Sequence, residues 1–460
     1  MHIIDIIIIV AYMLGVLAVG FYFLRRQGTT EEYFVGDRSM GAGHIGLSVV
    51  ATDVGGGFSI GLGGLGFTMG ISGSWLLFTG LIGAWLAAVV LIPRVKELGD
   101  LHGWQTYPEF LEDRYDSACR TAAALVSAVG YAGFVGGQIL AGAKVASATF
   151  GLGLTPSVWF TAAVVILYTA SGGLQAVVYT DTVQWLVLLV GLMVATPFAL
   201  DAAGGMEGLR AGLPAAHLSL SNVTLTQLLT WLMTIVPIWF VGMTLYQRIY
   251  ATRDVATARR AWFMAGLLEW PLMAFLGAGL GMMARVVHPT ADPEMGLPML
   301  IHSSLPVGVS GLVIAAYFSA IMSTADSCLL ASVGNMVGDF YVRHIRPDAP
   351  APEVLRLSRI LTLGVGLVSV LVATSMPRVL DAVLLSYAFM VSGLFMPTVA
   401  ALLERRPTGG EALAGMLAGG GAAVLLNIFP SLCPLPEPIM VALPLSALVM
   451  WGARLTRRKN

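Results

Sequence analysis

Charge is scarce in this chain. Lys and Arg number 25, Asp and Glu 26, and together they make up 11% of 460 residues, less than half of the roughly 25% usual in soluble domains. With 57% hydrophobic residues and a mean hydropathy of +0.81, that scarcity excludes an ordinary soluble enzyme and a disordered chain. The near balance of sign leaves no field to attract nucleic acid. Cys119, Cys328 and Cys433 are far apart and odd in number, which argues against a disulfide framework. No G-x-x-x-x-G-K-[ST] and no H-E-x-x-H occurs, so ATP-driven pumping and zinc proteolysis lack their chemistry. A membrane-embedded enzyme would need a nucleophile–base pair, but the histidines (2, 44, 102, 217, 288, 302 and 344) sit mostly at ends and loops. What remains is a polytopic helical membrane protein, driven by a gradient if it is driven at all.

A spanning helix needs about 20 apolar residues. Reading apolar runs against their charged punctuation predicts 13 spans, near 3–24, 42–70, 72–92, 119–150, 155–171, 173–200, 226–247, 257–287, 306–337, 355–375, 379–403, 409–429 and 437–454. The first run has no basic residue before it and ends at Arg25-Arg26, so it reads as an anchor rather than a signal peptide. With the N-terminus outside, the inner segments are 25–41, 93–118, 172, 248–256, 338–354, 404–408 and 455–460. These segments and the helix ends bordering them hold every basic residue except Lys144, Arg210, Arg285 and Arg378, the asymmetry that the positive-inside rule demands. The reading is therefore N outside and C cytoplasmic, in a plasma membrane.

A charge at bilayer depth costs roughly 2.5–3.5 kcal/mol on insertion scales, so each one asks for a reason. Asp53, Asp181, Glu269 and Asp326 fall within apolar spans, and no Lys or Arg is expected at mid-depth to pair with them. Asp5, Asp339 and Asp381 lie near ends and are expected to be wet. Beside Asp53 run Gly55-Gly56-Gly57, each costing ~1 kcal/mol against alanine in a helix, so the helix is predicted to break there. Broken helices are tolerated at mid-membrane where they line a cavity or bind something. Gly61, Gly63, Gly64 and Gly66 are expected to pack helices closely instead. On the 306–337 span Ser323, Thr324 and Ser327 share one stripe. Their hard oxygens suit alkali cations, and equally they could bond within or between helices. Glu269 precedes Pro271 and is either a proton carrier or a neutral acid satisfying a carbonyl that the proline frees.

These residues resemble the sodium:solute symporter family. The resemblance rests on Thr106-Tyr107-Pro108-Glu109-Phe110-Leu111 with Arg114-Tyr115, and on Gly172-Gly173-Leu174-Gln175-Ala176-Val177 leading to Thr180-Asp181-Thr182-Val183-Gln184. It rests further on Gln247-Arg248-Ile249-Tyr250-Ala251 with Ala258-Arg259-Arg260, on Ser323-Thr324-Ala325-Asp326-Ser327, and on the first core helix at 44–60. The stretch from Ala141 through Gln184 is most similar to the sodium/proline branch. The resemblance implies an all-α LeuT-type fold: a first helix and inner loop over 1–41, five-helix repeats over 42–200 and, inverted, 226–403, an outer loop at 201–225, and two further helices with a basic tail over 404–460. It implies alternating access around a site between two broken helices. The partners are then a small-molecule substrate and the lipid bilayer, with a monomer sufficient for transport.

Carried over by resemblance, the shared sodium site uses carbonyls of Ala51, Val54 and Ala320 with hydroxyls of Ser323 and Thr324. A candidate second sodium site uses Asp181 and Ser327 with Thr324 and the next residue. That residue is Cys328, whose sulfur suits sodium poorly, and Asp181 is alternatively a structural or gating carboxylate. Substrate-binding candidates are Asp53, Gly55, Gly56, Phe58, Trp75, Phe78, Gln138 and Trp239. A sugar would need more amide and carboxylate groups than these. The order of expectation is a proline-like amino acid, then a monocarboxylate, then a quaternary amine such as choline held by cation–π contact. A proton-coupled porter of the same fold would lean on Glu269 or Asp181. A solute-sensing module would need a cytoplasmic extension, which the end at Arg457-Arg458-Lys459-Asn460 does not suggest.

Overall fold

The computed structural model of this chain describes residues 2–24, 38–170, 174–403 and 407–457. Arg25, Arg26, Gly172, Gly173, Arg405, Arg406, Arg458, Lys459 and Asn460, all used above, lie outside the described residues. Among the described residues the chain is helical, and a single bridge pairs Met40 with Thr252. The helices that build the core are α1 (Ile3–Leu24), α2 (Ala42–Asp53), α3 (Gly56–Met69), α4 (Trp75–Leu86), α5 (Ile92–His102), α6 (Tyr107–Arg114), α7 (Ser117–Phe150), α8 (Leu154–Thr169) and α9 (Leu174–Ala202). They continue as α10 (Leu225–Val241), α11 (Met243–Ala251), α12 (Val255–Leu267), α13 (Ala274–Val287), α14 (Pro293–Ser304), α15 (Val309–Gly334), α16 (Ala351–Ser375), α17 (Val379–Ala401), α18 (Gly409–Ile428) and α19 (Ile439–Arg457).

Each predicted apolar run falls on one of these helices or on two in succession. By length and composition, eight stretches among the described residues are apolar and long enough to span a membrane, or nine if the bent pair α10–α11 is one span. That count is smaller than 13 for local reasons. α2 and α3 are interrupted at Val54–Gly55. At Gly70, φ 75, the chain leaves α3, and Gly73 then packs back against Leu65, so α3 and α4 are joined by a tight turn inside the stretch Gly56–His102, which counts once. Ile3–Val16, Leu154–Thr169 and Ile439–Gly452 are apolar but short.

The centre is α15, buried along almost its whole length, with α1, α2, α3, α7 and α9 packed around it. The glycine-rich α3 lets backbones meet as expected. A Cβ on Gly66 would come within 2.8 Å of the Ala278 carbonyl carbon, and one on Gly281 within 2.8 Å of that of Gly63. Gly61, Gly63 and Gly64 lie against Leu380, Leu297 and Glu294. Lipid-facing positions are apolar: Leu167, Leu371 and Leu448 are among the most exposed side chains.

Two carboxylates expected to be wet are buried. Asp5 is 3% exposed and accepts from the Gly308 and Gly311 amides at 2.7 and 3.0 Å, so it serves the start of α15, where amides lack helical partners. Asp339 is fully buried because the Thr106 hydroxyl and Arg120 bond it, each at 2.8 Å. Asp381 is exposed, as expected.

Candidate functional site

The run Gly55-Gly56-Gly57 breaks the first core helix where predicted. Asp53 ends α2, Val54 turns at φ −96 and ψ 47, and Gly55 restarts the chain at φ −68 and ψ −170. None of these angles needs glycine. The need is space. A Cβ on Gly55 would sit 2.7 Å from the Thr324 Cβ and closer still to its hydroxyl, one on Gly56 would strike Ile321, and one on Gly57 would strike Gln138. The break is held against α15 on one side and α7 on the other. Gln138 Oε1 accepts from the Gly57 amide at 2.9 Å, replacing the carbonyl that the break removes.

Three of the five expected sodium ligands meet at this break. Thr324 Oγ1 lies 3.0 Å from the Ala51 carbonyl and 3.1 Å from the Ala320 carbonyl, donating to them. Ser323, beside it, donates to Asp181 Oδ1, which turns the hydroxyl lone pairs away from that carboxylate. The set is made of neutral hard oxygens, the donor type that suits an alkali cation.

Asp181 is not a free carboxylate. Its Oδ2 accepts from Ser48 at 2.5 Å and from Arg248 Nη2 at 2.9 Å, and both ionic side chains are fully buried. Arg248 corrects the expectation that no basic residue is placed to pair with the four acids. It was placed at the inner end of a span, but α11 continues to Ala251 and carries it inward. Ser327, the other member of the candidate second sodium site, accepts from the same Nη2 at 2.8 Å. Asp326, also buried, takes a hydrogen bond from Thr169.

A second break lies opposite the first. Gly242, φ −67 and ψ 112, separates α10 from α11, which are bent by 43°. The Tyr131 hydroxyl accepts from the freed Thr244 amide at 3.2 Å and lies 3.1 Å from the Thr244 hydroxyl. A cavity of about 10 Å³, near the size of one water, lies between the breaks and is lined by Asp53, Tyr131, Gly242, Thr244, Cys328 and Tyr387 among others. Asp53 accepts from the Tyr387 hydroxyl at 3.3 Å, and Glu269 lies near it with both carboxyl oxygens buried and without a hydrogen-bond partner among the described residues. Glu269 is fully buried and fits because Gly80 has no side chain.

The substrate candidates divide. Asp53, Gly55, Gly56, Phe58 and Gln138 cluster at the first break, where Phe58 packs on Phe134 and Tyr387 with centroids 6.5 and 6.1 Å apart. Trp239 is buried against Gly83 of α4. Trp75 and Phe78 face elsewhere: Phe78 packs on Trp270 at 4.9 Å, and Trp75 donates to the Leu220 carbonyl. Tyr131, Thr244 and Tyr387 were missed, since a tyrosine or threonine in an apolar span gives no signal of its own.

The two ends of the molecule differ. At the end carrying residues 224–230, 292–294 and 376–381, a cleft of about 520 Å³ runs inward past Thr68, Thr230, Trp231 and Thr234. At the opposite end charged groups are tied together. Arg120 pairs with Glu109, Glu112 and Asp339, Arg343 adds a second bond to Glu112, and the Tyr107 hydroxyl meets Thr398 at 2.7 Å. Burial pushes the Glu112 carboxyl up, but Arg120 and Arg343 more than reverse it and hold it below its ordinary value. At the open end burial, then Asp381, push Glu437 up.

Residues 33–419 match the sequence model of the sodium:solute symporter family. The chain belongs to that family. The family's description names sodium as the ion moved together with solute. The chain is 30% identical over 444 residues to the sodium/myo-inositol cotransporter 2 of Oryctolagus cuniculus, covering 86% of this chain and 65% of that one. It thus spans just under two thirds of that relative's length. It is 27% identical to the high-affinity proline transporter PutP of Bacillus subtilis (strain 168), over 89% of each chain. It is 28% identical to the sodium/proline symporter of Escherichia coli (strain K12), over 91% of this chain and 86% of that one. Its fold is shared with a substrate-bound, outward-open Na+-coupled sialic acid symporter, with a TM-score of 0.81, 21% identity, and coverage of 99% and 98%.

Proposed function

We propose that this chain carries a small organic solute together with sodium, by alternating access around the two helix breaks. The observation that carries the reading is the Thr324 hydroxyl bridging the Ala51 and Ala320 carbonyls at the first break. Sodium is held there by Ala51, Val54, Ala320, Ser323 and Thr324, which join α2 to α15. The solute binds beside it, at Asp53, Phe58 and Gln138, where α3 begins. An ion that fixes α2 against α15 orders one wall of the solute pocket. Solute must in turn raise sodium affinity by the same factor.

The 13-span topology, N-terminus outside, agrees with the helices that coincide with every apolar run. Two inverted repeats, 42–200 and 226–403, are supported by the matching position of the breaks: each falls in the first core helix of its half. With this orientation the 520 Å³ cleft is the outer vestibule and the Arg120 cluster is the inner seal. A proline-like amino acid ranks first as solute, since Asp53 can face its nitrogen and the relatives include proline transporters. A monocarboxylate follows. Myo-inositol enters because of the cotransporter relatives, although the groups at the break are few for a polyol. A proton-coupled porter is the second reading, favoured by the Asp53–Glu269 carboxyl pair.

Uptake into proteoliposomes tests all of these. Labelled proline, other small amino acids, pyruvate, choline and myo-inositol are each offered with a sodium gradient, a proton gradient, or neither. Sodium-driven uptake of one compound is expected. Uptake that follows protons and ignores sodium would overturn the sodium site and shift attention to Asp53 and Glu269.

A further inference from the structure

We propose that His217 is a proton-operated latch on the loop 213–224: its uncharged ring lets the loop dock on the turn between α3 and α4, and a proton on it releases the loop and slows transport. The effect on uptake rests on the transport reading above; the latch itself does not.

The loop is packed inside out. His217 is 5% exposed, while Leu218 and Leu220 beside it are 44% and 45% exposed. Both ring nitrogens are buried and without a hydrogen-bond partner among the described residues. An unpaired buried polar group costs ~1–3 kcal/mol, and a leucine in the same place would avoid that cost. The backbone behind the ring is clamped. Gly70, at φ 75, brings the turn so close that a Cβ there would lie 2.6 Å from the His217 carbonyl carbon. The Ser72 hydroxyl donates to the Ser219 carbonyl at 2.6 Å and accepts from the Asn222 amide at 2.8 Å. The Asn222 side chain donates to the Met69 carbonyl at 2.9 Å, and Trp75 to the Leu220 carbonyl at 2.8 Å.

A proton has no place in this docked form. Burial pushes the ring below its ordinary value of 6.5 and Arg285 of α13 pushes it further, while the Phe67 and Thr68 carbonyls at the end of α3 recover only part. The Phe67 carbonyl already accepts from Arg285 Nη1 at 2.9 Å. α3, Gly70–Ser74 and the rest of the loop hold no titratable side chain, and α13 contributes Arg285 alone. Glu207 and Arg210, on the preceding helix Gly205–Gly212, are exposed to solvent. Released, the ring returns toward its ordinary value. Docking is therefore strongest above that value and weakens as pH falls from there through the lower docked one, by at most about tenfold per pH unit for one proton. The loop also joins two walls of the cleft of about 520 Å³: Leu65 and Thr68 on α3, and Thr226, Thr230 and Thr234 on α10. A released loop no longer holds these walls together, so closing them over a solute becomes harder.

Two measurements on the full chain test this, each between about pH 7.5 and about pH 5.5, the range in which a histidine titrates. The first is hydrogen–deuterium exchange of segment 213–224, corrected for the pH dependence of the chemical exchange itself. The native chain is expected to lose protection there as pH falls, whereas His217→Leu and His217→Gln are expected to keep theirs. The second is initial uptake of labelled proline into proteoliposomes, with a fixed sodium gradient and the same pH on both sides. Native uptake is expected to fall in acid several-fold more than that of either variant. Protection in the native chain that ignores pH, or that falls equally in both variants, would overturn the proposal. Release of the loop with uptake that follows pH alike in all three chains would overturn its role in transport. If one variant does not fold the other serves, and the native exchange curve alone must still bend below the ordinary histidine value. A chain that moves no proline at any pH would count against the transport reading, and the exchange measurement would still decide the latch.

Discussion

Gly55→Ala is the substitution that most directly probes the break. The added methyl would lie 2.7 Å from the Thr324 Cβ, nearer still to its hydroxyl, and 3.1 Å from the Ala51 carbonyl oxygen. Neither neighbour can yield cheaply, since one is anchored in buried α15 and the other is backbone. Thr324 must rotate or the chain must move, and either parts the hydroxyl from the two carbonyls. Overpacking costs ~1–3 kcal/mol, and losing a buried hydrogen bond adds ~1 kcal/mol. If half of that total falls on the ion site, sodium affinity drops roughly 5- to 30-fold, because ~1.4 kcal/mol is one factor of ten. The assay is the sodium concentration for half-maximal uptake, with radiolabelled sodium binding beside it. Gly43→Ala is the control, as nothing lies within 4 Å of a Cβ there. Sodium dependence in G55A equal to that of the native chain would show that the close approach of Gly55 and Thr324 has no part in ion binding.

Arg248→Ala leaves Asp181 buried without its cation. Breaking such a pair costs about 3–5 kcal/mol, so the melting temperature in detergent should fall sharply, and a loss below ~1 kcal/mol would contradict the buried pairing. Gly66→Ala and Gly281→Ala each force α3 and α13 apart at backbone–backbone contacts, and either should lower folded yield by more than a core overpacking of ~1–3 kcal/mol; normal yield and melting would refute the contact. Glu112 is held below its ordinary carboxylate value of 4.5 by Arg120 and Arg343. Its contribution to sealing is therefore complete above that value and disappears as pH falls through its lower folded value. The stability difference between the native chain and Glu112→Gln should be a few tenths of a kcal/mol to ~1 kcal/mol near neutrality and vanish in acid, and a gap that persists at low pH would refute the pairing.

Much of this is legible in the linear pattern. Three adjacent glycines beside an intramembrane aspartate announced the break, because helix cost and space both point there. The hydroxyl stripe of Ser323, Thr324 and Ser327 announced oxygen donors on one face. What the sequence hid was tertiary. Arg248 read as an inner-loop cation, since nothing in a linear pattern shows that α11 turns it toward Asp181. Asp5 and Asp339 read as wet because position near an end says nothing about the amides and guanidinium that receive them. Trp75 and Phe78 were assigned to the pocket by helix order alone, and their packing on Trp270 and the Leu220 carbonyl depends on how a distant kink is placed. Glu269 reads as unusual, but nothing in its own helix shows that Asp53 of another helix lies near it.

Gln138 and Tyr131 each complete a broken helix, one at Gly57 and the other at Thr244. They belong to the same helix, α7, separated by seven residues, or about two turns and roughly 10 Å of rise. A straight helix does not change length on the scale of these contacts, so α7 acts as a caliper whose jaws are an amide oxygen and a phenol. Any rearrangement that changes the spacing of the two breaks must leave one jaw, exposing a buried amide at a cost of ~1–3 kcal/mol. A rearrangement that carries both breaks along with α7 costs nothing there. The gap between the two breaks thus keeps its span.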